Sequence, residues 1–228
     1  MRAKKETYRK RGVTYLMTIS LLLGCLSLGS KGLAKESERN IVLEPPQELF
    51  HIDLGEALSS RRSARDFIQR DVTLKDLSTV LWAANGINRK DGKRTAPAPH
   101  GKYVIDIYVA MDQGVYLYDA EQHRLDYLSD HNLKAKAGKQ GDIKKAYCVL
   151  ILVAKTHRFP IIVNNEDRLL MSHATAGCIG QNIYLAANAL QLGTRLVQWQ
   201  NEKIISEVLE LQKNEFPLYI MPLGYPKE

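Results

Sequence analysis

The run AYCVLILVA, residues 146–154, is apolar from end to end apart from one tyrosine hydroxyl and one thiol. A continuous run of this kind suits a central strand buried on both faces. Upstream, KYVIDIYVAM (102–111) changes to a period of two, with Ile105, Ile107 and Val109 on one face, and reads as a half-buried strand. GVYLYDAEQHRLDYL (114–128) has two β-prone runs around a polar turn, a hairpin. The basic stretch between Leu133 and Lys145 reads as helical. Downstream, residues 165–192 contain no proline and end in LG, which predicts one long helix closed by Gly193. Within it Ala174, Ala176, Gly177 and Gly180 are small enough for another backbone to come close. TRLVQW (194–199) follows as a strand, EKIISEVLEL (202–211) as a helix and PLYIMPLGYP (217–226) as a last strand.

Two helices precede this set. IDLGEALSSRRS (52–63) places Leu54, Ala57 and Leu58 on one face, and TLKDLSTVLWAANGI (73–87) begins at a Thr73 cap. The second carries Leu74, Leu77, Val80 and Leu81 at helical spacing and stops at Asn85-Gly86. Helices and strands mix without strict βαβ alternation, so the fold class is α+β, with a mostly antiparallel central sheet flanked by helices. The 228 residues, 45% hydrophobic and 25% charged, can bury one sizeable core.

The formal charge of +7 is unevenly spread. Six basic residues stand in the first twelve positions against one acid, Glu6, which leaves only +2 for the remainder, an ordinary soluble surface rather than one built for nucleic acid. The basic start and the apolar run GVTYLMTISLLLGCLSLG (12–29) form an export signal, expected over residues 1–24. LLGC, ending at Cys25, resembles the lipobox of bacterial lipoproteins, in which the cysteine is acylated. Cleavage after Ala34, or an uncleaved anchor, are the alternatives; each takes the domain out of the cytoplasm or turns it away. Residues 25–49 are polar, broken by Pro45 and Pro46, and read as a tether, with the folded domain over 50–228. Cys148 and Cys178 stand in apolar strand and helix contexts that suit free buried thiols. No CxxC, HExxH or clustered His and Asp spacing supports a metal.

Three short stretches carry candidate chemistry. Arg61, Arg62 and Arg65 bring three guanidinium groups within five residues, with Ser63 between them. Arginine forks hold phosphate through paired, charge-assisted hydrogen bonds, though a solvated helix end would have the same composition. RTAPAPHG (94–101), with Arg94, Pro97, Ala98 and His100, is stiff enough to lie against a planar ligand, or is simply a proline loop with a surface histidine. At the end, Gly224 permits an unusual backbone angle and Lys227 adds a cation.

In order, RRSARDF (61–67), RTAP (94–97), the hairpin, TAGCIGQNIYLAANALQLGT (175–194) and PLYIMPLGYP resemble the nitroreductase-like flavoprotein superfamily, and within it the SagB and thiazoline-oxidase type dehydrogenases. The resemblance runs from Phe50 to Pro226 and implies an α+β sandwich, FMN, and a homodimer whose subunits share each flavin across the long helix. Arg61, Ser63 and Arg65, with Arg62, match the positions that hold the FMN phosphate and ribityl chain. It also implies ping-pong hydride transfer through the flavin N5, from NAD(P)H or a quinone or redox partner to a small acceptor such as a nitroaromatic or quinone. The chain departs from the subfamily at Pro97-Ala98-Pro99-His100, where a serine donor is lost, and at Gln198, where the family has a glycine near the flavin. Gln198 is therefore a candidate modulator of the flavin face. A non-catalytic exported flavin-binding or partner-binding module is the alternative. A hydrolase is disfavoured, because G-x-S-x-G is absent and Ser172 and His173 diverge on a helix.

Overall fold

The strand expected over residues 146–154 runs Cys148–Lys155, and every residue in it is buried. The computed structural model describes residues 39–47 and 52–227. The export signal, Cys25 and the first part of the tether lie outside the described residues. In chain order the strands are β1 (Ile41–Val42), β2 (Ile105–Met111), β3 (Gly114–Asp119), β4 (Arg124–Ser129), β5 (Cys148–Lys155), β6 (Gly193–Thr194) and β7 (Glu215–Gly224). They form one sheet in the order β1-β4-β3-β2-β5-β7-β6, with every pair antiparallel. The helices are α1 (Leu54–Ser60), α2 (Leu74–Asn85), α3 (Asn165–Ala189) and α4 (Glu202–Val208).

The sheet has a core on each face, and β5 feeds both. Leu150 and Leu152 join Leu77, Leu81, Ile179 and Ile183 under α2 and α3. Val149, Ile151 and Val153 join Leu133, Ile143, Val197 and Ile205 under α4 and the segment before β5. Each such aliphatic side chain taken out of water contributes roughly 1.5–3 kcal/mol, so a strand that is apolar on both faces belongs in this interior position. Ile105, Ile107 and Val109 share one face as expected, but Tyr108 and Ala110 are covered as well, so β2 is buried rather than half-buried.

The expected caps hold where a side chain closes them. Thr73 accepts from Asp76 N at 3.0 Å and starts α2, and Gly86 ends it, where a Cβ would lie 2.6 Å from the Trp82 ring. Asn164 accepts from Asp167 N at 2.9 Å and starts α3. The other end of α3 differs from expectation. The helix stops at Ala189 and the left-handed turn falls on Gln191 (φ 57°). Gly193 serves a different purpose: a Cβ there would meet the Ala64 Cβ at 2.6 Å.

Four further expectations are corrected. The sheet begins at Ile41, which pairs with Leu125 in a segment read as tether, and Leu43 is buried behind it. A two-residue strand is too short to show periodicity. The stretch from Leu133 to Lys145 is a chain of turns with a single 3-10 turn at Ile143–Lys145; its two glycines, Gly138 and Gly141, weaken a helix, and Gly138 packs against Ile143 where no Cβ would fit. Helix α1 ends at Ser60 and buries only Ala57; Leu54 and Leu58 are exposed, because the helix rests on α3 through one side. The 194–199 run contributes β6 and one bridge, Val197 to Ile220, rather than a full strand. Among the described residues Cys148 and Cys178 are both free; Cys148 is buried as expected, whereas Cys178, expected to be buried, is exposed on α3.

Candidate functional site

The arginine cluster lies just beyond a helix, on extended chain. Helix α1 begins at Asp53, which accepts from Glu56 N at 2.8 Å, and closes when Ser60 Oγ donates back to Glu56 O at 2.6 Å. Asn188 of α3 fixes that end by donating to Ala57 O and to Ser60 Oγ. From Arg61 onward the backbone is extended and docks along the sheet's edge. Ser63 bridges Thr194 in parallel sense, Ala64 N donates to Thr194 O at 3.0 Å, and Phe67 bridges Pro226.

Three side chains from elsewhere hold this segment. Tyr184 of α3 lies under the Arg61 guanidinium, 5.0 Å from ring centroid to Cζ, and its hydroxyl is 3.1 Å from Ser63 Oγ. The same hydroxyl accepts from Leu196 N at 2.8 Å. Arg195 donates to Ala64 O at 3.0 Å and to Asp142 Oδ2 at 2.5 Å. Asp66 pairs with Lys145 at 2.8 Å, and the Lys145 hydrogen bond chiefly holds its carboxyl below the ordinary range. Sequence reasoning missed Tyr184, Arg195 and Asp142. Only Arg195 left a trace, as a lone cation directly after the LGT turn.

These contacts frame an open cavity of about 500 Å³. Ser63, Arg65 and Arg195 line it together with Gln140, Gln198 and Trp199. The volume falls within the roughly 300–1,000 Å³ of cofactor-sized pockets. Asp142, the carboxylate in the lining, is bonded to Arg195, and Arg65 has no carboxylate within ion-pair distance among the described residues. The cavity therefore offers a guanidinium and a hydroxyl to an anion. The Gln140 Oε1, buried and without a partner, also waits for a donor. Trp199 is 67% exposed at the mouth, with Lys139 Nζ 5.9 Å from its ring.

Of the residues singled out in the sequence, Ser63, Arg65 and Gln198 line one cavity, and Arg61 stands beside it on Tyr184. Arg62 is exposed on the same segment. Lys227 is 3.8 Å from Asp66 and does not line the cavity. The RTAP loop is elsewhere. Arg94 stacks on Tyr103 at 4.3 Å, Pro97 and Ala98 lead into a 3-10 turn, and His100, exposed at φ 52°, packs edge-on against Phe159. One copy of the chain does not bring Arg94, Pro97, Ala98 or His100 to the arginine pocket. No group of three or more potential metal ligands occurs among the described residues.

Residues 58–225 match the Nitroreductase family. The curated "Putative nitroreductase MJ1384" of Methanocaldococcus jannaschii is 33% identical over 187 residues, 78% of this chain and 93% of its own length. A crystal structure of a "putative nitroreductase" from Ralstonia eutropha JMP134 is 35% identical and superposes with a TM-score of 0.79, covering 84% of this chain and 91% of that one. Another protein so named, from Anabaena variabilis ATCC 29413, is 24% identical with a TM-score of 0.63, covering 75% of this chain and 37% of that one. At that identity the likeness concerns the fold alone.

Proposed function

The chain belongs to the nitroreductase family of oxidoreductases, and we propose that its arginine pocket holds FMN, with Arg65 and Ser63 on the phosphate and Gln198 beside the ring. One observation carries this reading: Ser63, Arg65 and Gln198, up to 135 positions apart, line a single cavity, and Arg65 has no ion-pair partner among the described residues. The residues fit the group. Arg65 offers a fork, Ser63 a hydroxyl held by Tyr184, and Gln140 a buried acceptor for a ring N–H. Bound there, FMN supplies hydride and electron transfer at N5, in ping-pong fashion, from NAD(P)H or a quinone or redox partner to a small acceptor such as a nitroaromatic or quinone. The chain's own part is to bind and orient. Arg195, locked on Asp142 and Ala64, keeps the pocket wall in place, while Leu196 and Trp199 add apolar surface to the lining.

The active unit is proposed to be a homodimer in which a second copy brings its Arg94–His100 loop to the flavin. Two observations support this: that loop is absent from the pocket of one chain, and the α3 residues Ala174, Gly177 and Cys178 are exposed and small. The order of the five motifs favours the SagB and thiazoline-oxidase branch. The apolar leader and LLGC favour export with lipidation at Cys25. Mass spectrometry of membrane-extracted protein checks this last point, and a mature N-terminus at Lys35 would refute it.

The deciding experiment is the visible spectrum of the purified fragment 35–228. A yellow dimer releasing FMN on denaturation is expected. Arg65→Ala is expected to weaken FMN binding roughly 10- to 150-fold, since a hydrogen bond to a charged group contributes about 1.5–3 kcal/mol. A colourless monomer that takes up no added FMN overturns the reading, and bound FMN without turnover identifies a non-catalytic flavin module.

A further inference from the structure

The segment 133–147 that walls the arginine pocket also borders a second cavity, of about 340 Å³, that the flavin reading does not use. Four cations line it, Arg70, Lys134, Lys144 and Lys145, against two carboxylates, Asp71 and Asp112. Lys145 is turned away to Asp66 at 2.8 Å.

Lys134 is the informative residue. It is only 7% exposed, and its Nζ donates to Asp112 Oδ2 at 2.7 Å and to Ala146 O at 3.2 Å. An ammonium has three N–H groups, so one is left over by these two bonds in a residue that lines the cavity. Its counter-ion is a weak one, because the Asp112 side chain is 74% exposed and competes with water. A buried cation held this way gains from a further anion.

Arg70 and Lys144 supply the rest. The Arg70 guanidinium lies over the Tyr225 ring, with Cζ 3.9 Å from the centroid. The ring face holds the cation in place while its N–H groups remain donors. Neither Arg70 nor Lys144 has a carboxylate within ion-pair distance among the described residues. Tyr147 also lines the cavity, and burial pushes its hydroxyl up to about 12, so it stays protonated and can donate.

We propose that this cavity is a second oxyanion site, distinct from the flavin pocket, which takes a phosphate group through Arg70, Lys144 and the third N–H of Lys134. Arg70 and Lys144 outnumber Asp71, the one lining carboxylate with no ion pair among the described residues, and with the spare N–H of Lys134 they leave the cavity net positive and rich in donors for a phosphate group. The group can arrive as inorganic phosphate or as the phosphomonoester of a larger molecule, such as the 2′-phosphate of NADP⁺.

The test is calorimetric titration of the FMN-loaded protein, in phosphate-free buffer at low salt, with sodium phosphate, NADP⁺ and NAD⁺ as separate probes. Saturable 1:1 binding of phosphate or NADP⁺ is expected, weakened at least 10-fold in Arg70→Ala/Lys144→Ala, a surface variant that should retain its FMN. Inorganic phosphate binding as tightly as NADP⁺ identifies a free-ion site; NADP⁺ binding far more tightly than phosphate or NAD⁺ identifies a phosphomonoester site. Lys134→Met should abolish the heat, and its circular dichroism checks that it is folded. Arg65→Ala is the control for the other cluster. Phosphate binding that is lost in Arg65→Ala but unchanged in Arg70→Ala/Lys144→Ala, or no binding by either phosphate probe, overturns the proposal.

Discussion

Ser63 and Tyr184, 121 positions apart, share a hydrogen bond of 3.1 Å, and the Tyr184 hydroxyl accepts at the same time from Leu196 N. One phenol thus ties α3, the arginine segment and the pocket wall together. With its oxygen already accepting from Leu196, the Tyr184 proton can go to Ser63, whose own proton is then available to an anion in the pocket. Tyr184→Phe removes both hydrogen bonds, each worth about 0.5–1.5 kcal/mol, and loss of the one that orients Ser63 should weaken FMN binding roughly 2- to 13-fold. Fluorescence titration of the apoprotein measures this. In a double-mutant cycle the Ser63→Ala and Tyr184→Phe effects should fall short of additivity, and full additivity would mean that the pair does not act as a unit.

Gly193 determines how closely the arginine segment approaches the sheet. A Cβ there would lie 2.6 Å from the Ala64 Cβ and 3.0 Å from the Pro226 Cβ, and neither neighbour is the end of a flexible chain. Gly193→Ala should therefore push the Ser63–Thr194 bridge apart and cost about 1–3 kcal/mol of stability, the usual cost of overpacking. The urea midpoint should fall and FMN affinity with it. An unchanged midpoint would show that the segment yields without cost.

Gln198 lines the arginine pocket on a different segment from Ser63 and Arg65. Gln198→Gly should change hydride-transfer rates or acceptor range while leaving FMN affinity nearly unaltered. The comparison is stopped-flow reduction by NADH and NADPH and reoxidation by menadione and a nitroaromatic, in both proteins. Equal rates in both half-reactions would place Gln198 away from the reacting face.

His123 staples the N-terminal strand to the rest. Its Nδ1 is 3.0 Å from the Tyr118 hydroxyl, and its Nε2 is 2.7 Å from Ser78 Oγ and 3.1 Å from Glu44 O. Burial lowers its pKa below the ordinary value of 6.5, against a smaller opposing effect of the Glu44 carbonyl. The folded state thus resists a proton that the unfolded chain accepts. The contribution of this group is present above that value and is lost as pH falls below it. Stability should therefore drop as pH falls below about 6.5, with faster exchange of the Leu43 amide, which donates to His123 O. His123→Gln should flatten that slope, and an unchanged slope would assign the loss to carboxylates.

The sequence by itself determined the elements whose signal is local. Apolar runs and period two gave β2 and β5, because a strand's burial is written in adjacent residues. Thr73 and Gly86 bounded α2, because a cap acts within one turn. The cluster of Arg61, Ser63 and Arg65 was visible for the same reason, within five consecutive positions. Only the tertiary structure decided what those arginines stand on. Tyr184, Arg195 and Asp142 have no local mark, since a tyrosine in a helix and a salt-bridged pair 53 residues apart become a pocket wall only when the sheet's edge draws them together. Strand β1 was hidden likewise, because two residues acquire a strand's identity from their partner, Leu125 and Arg124, and not from a pattern of their own.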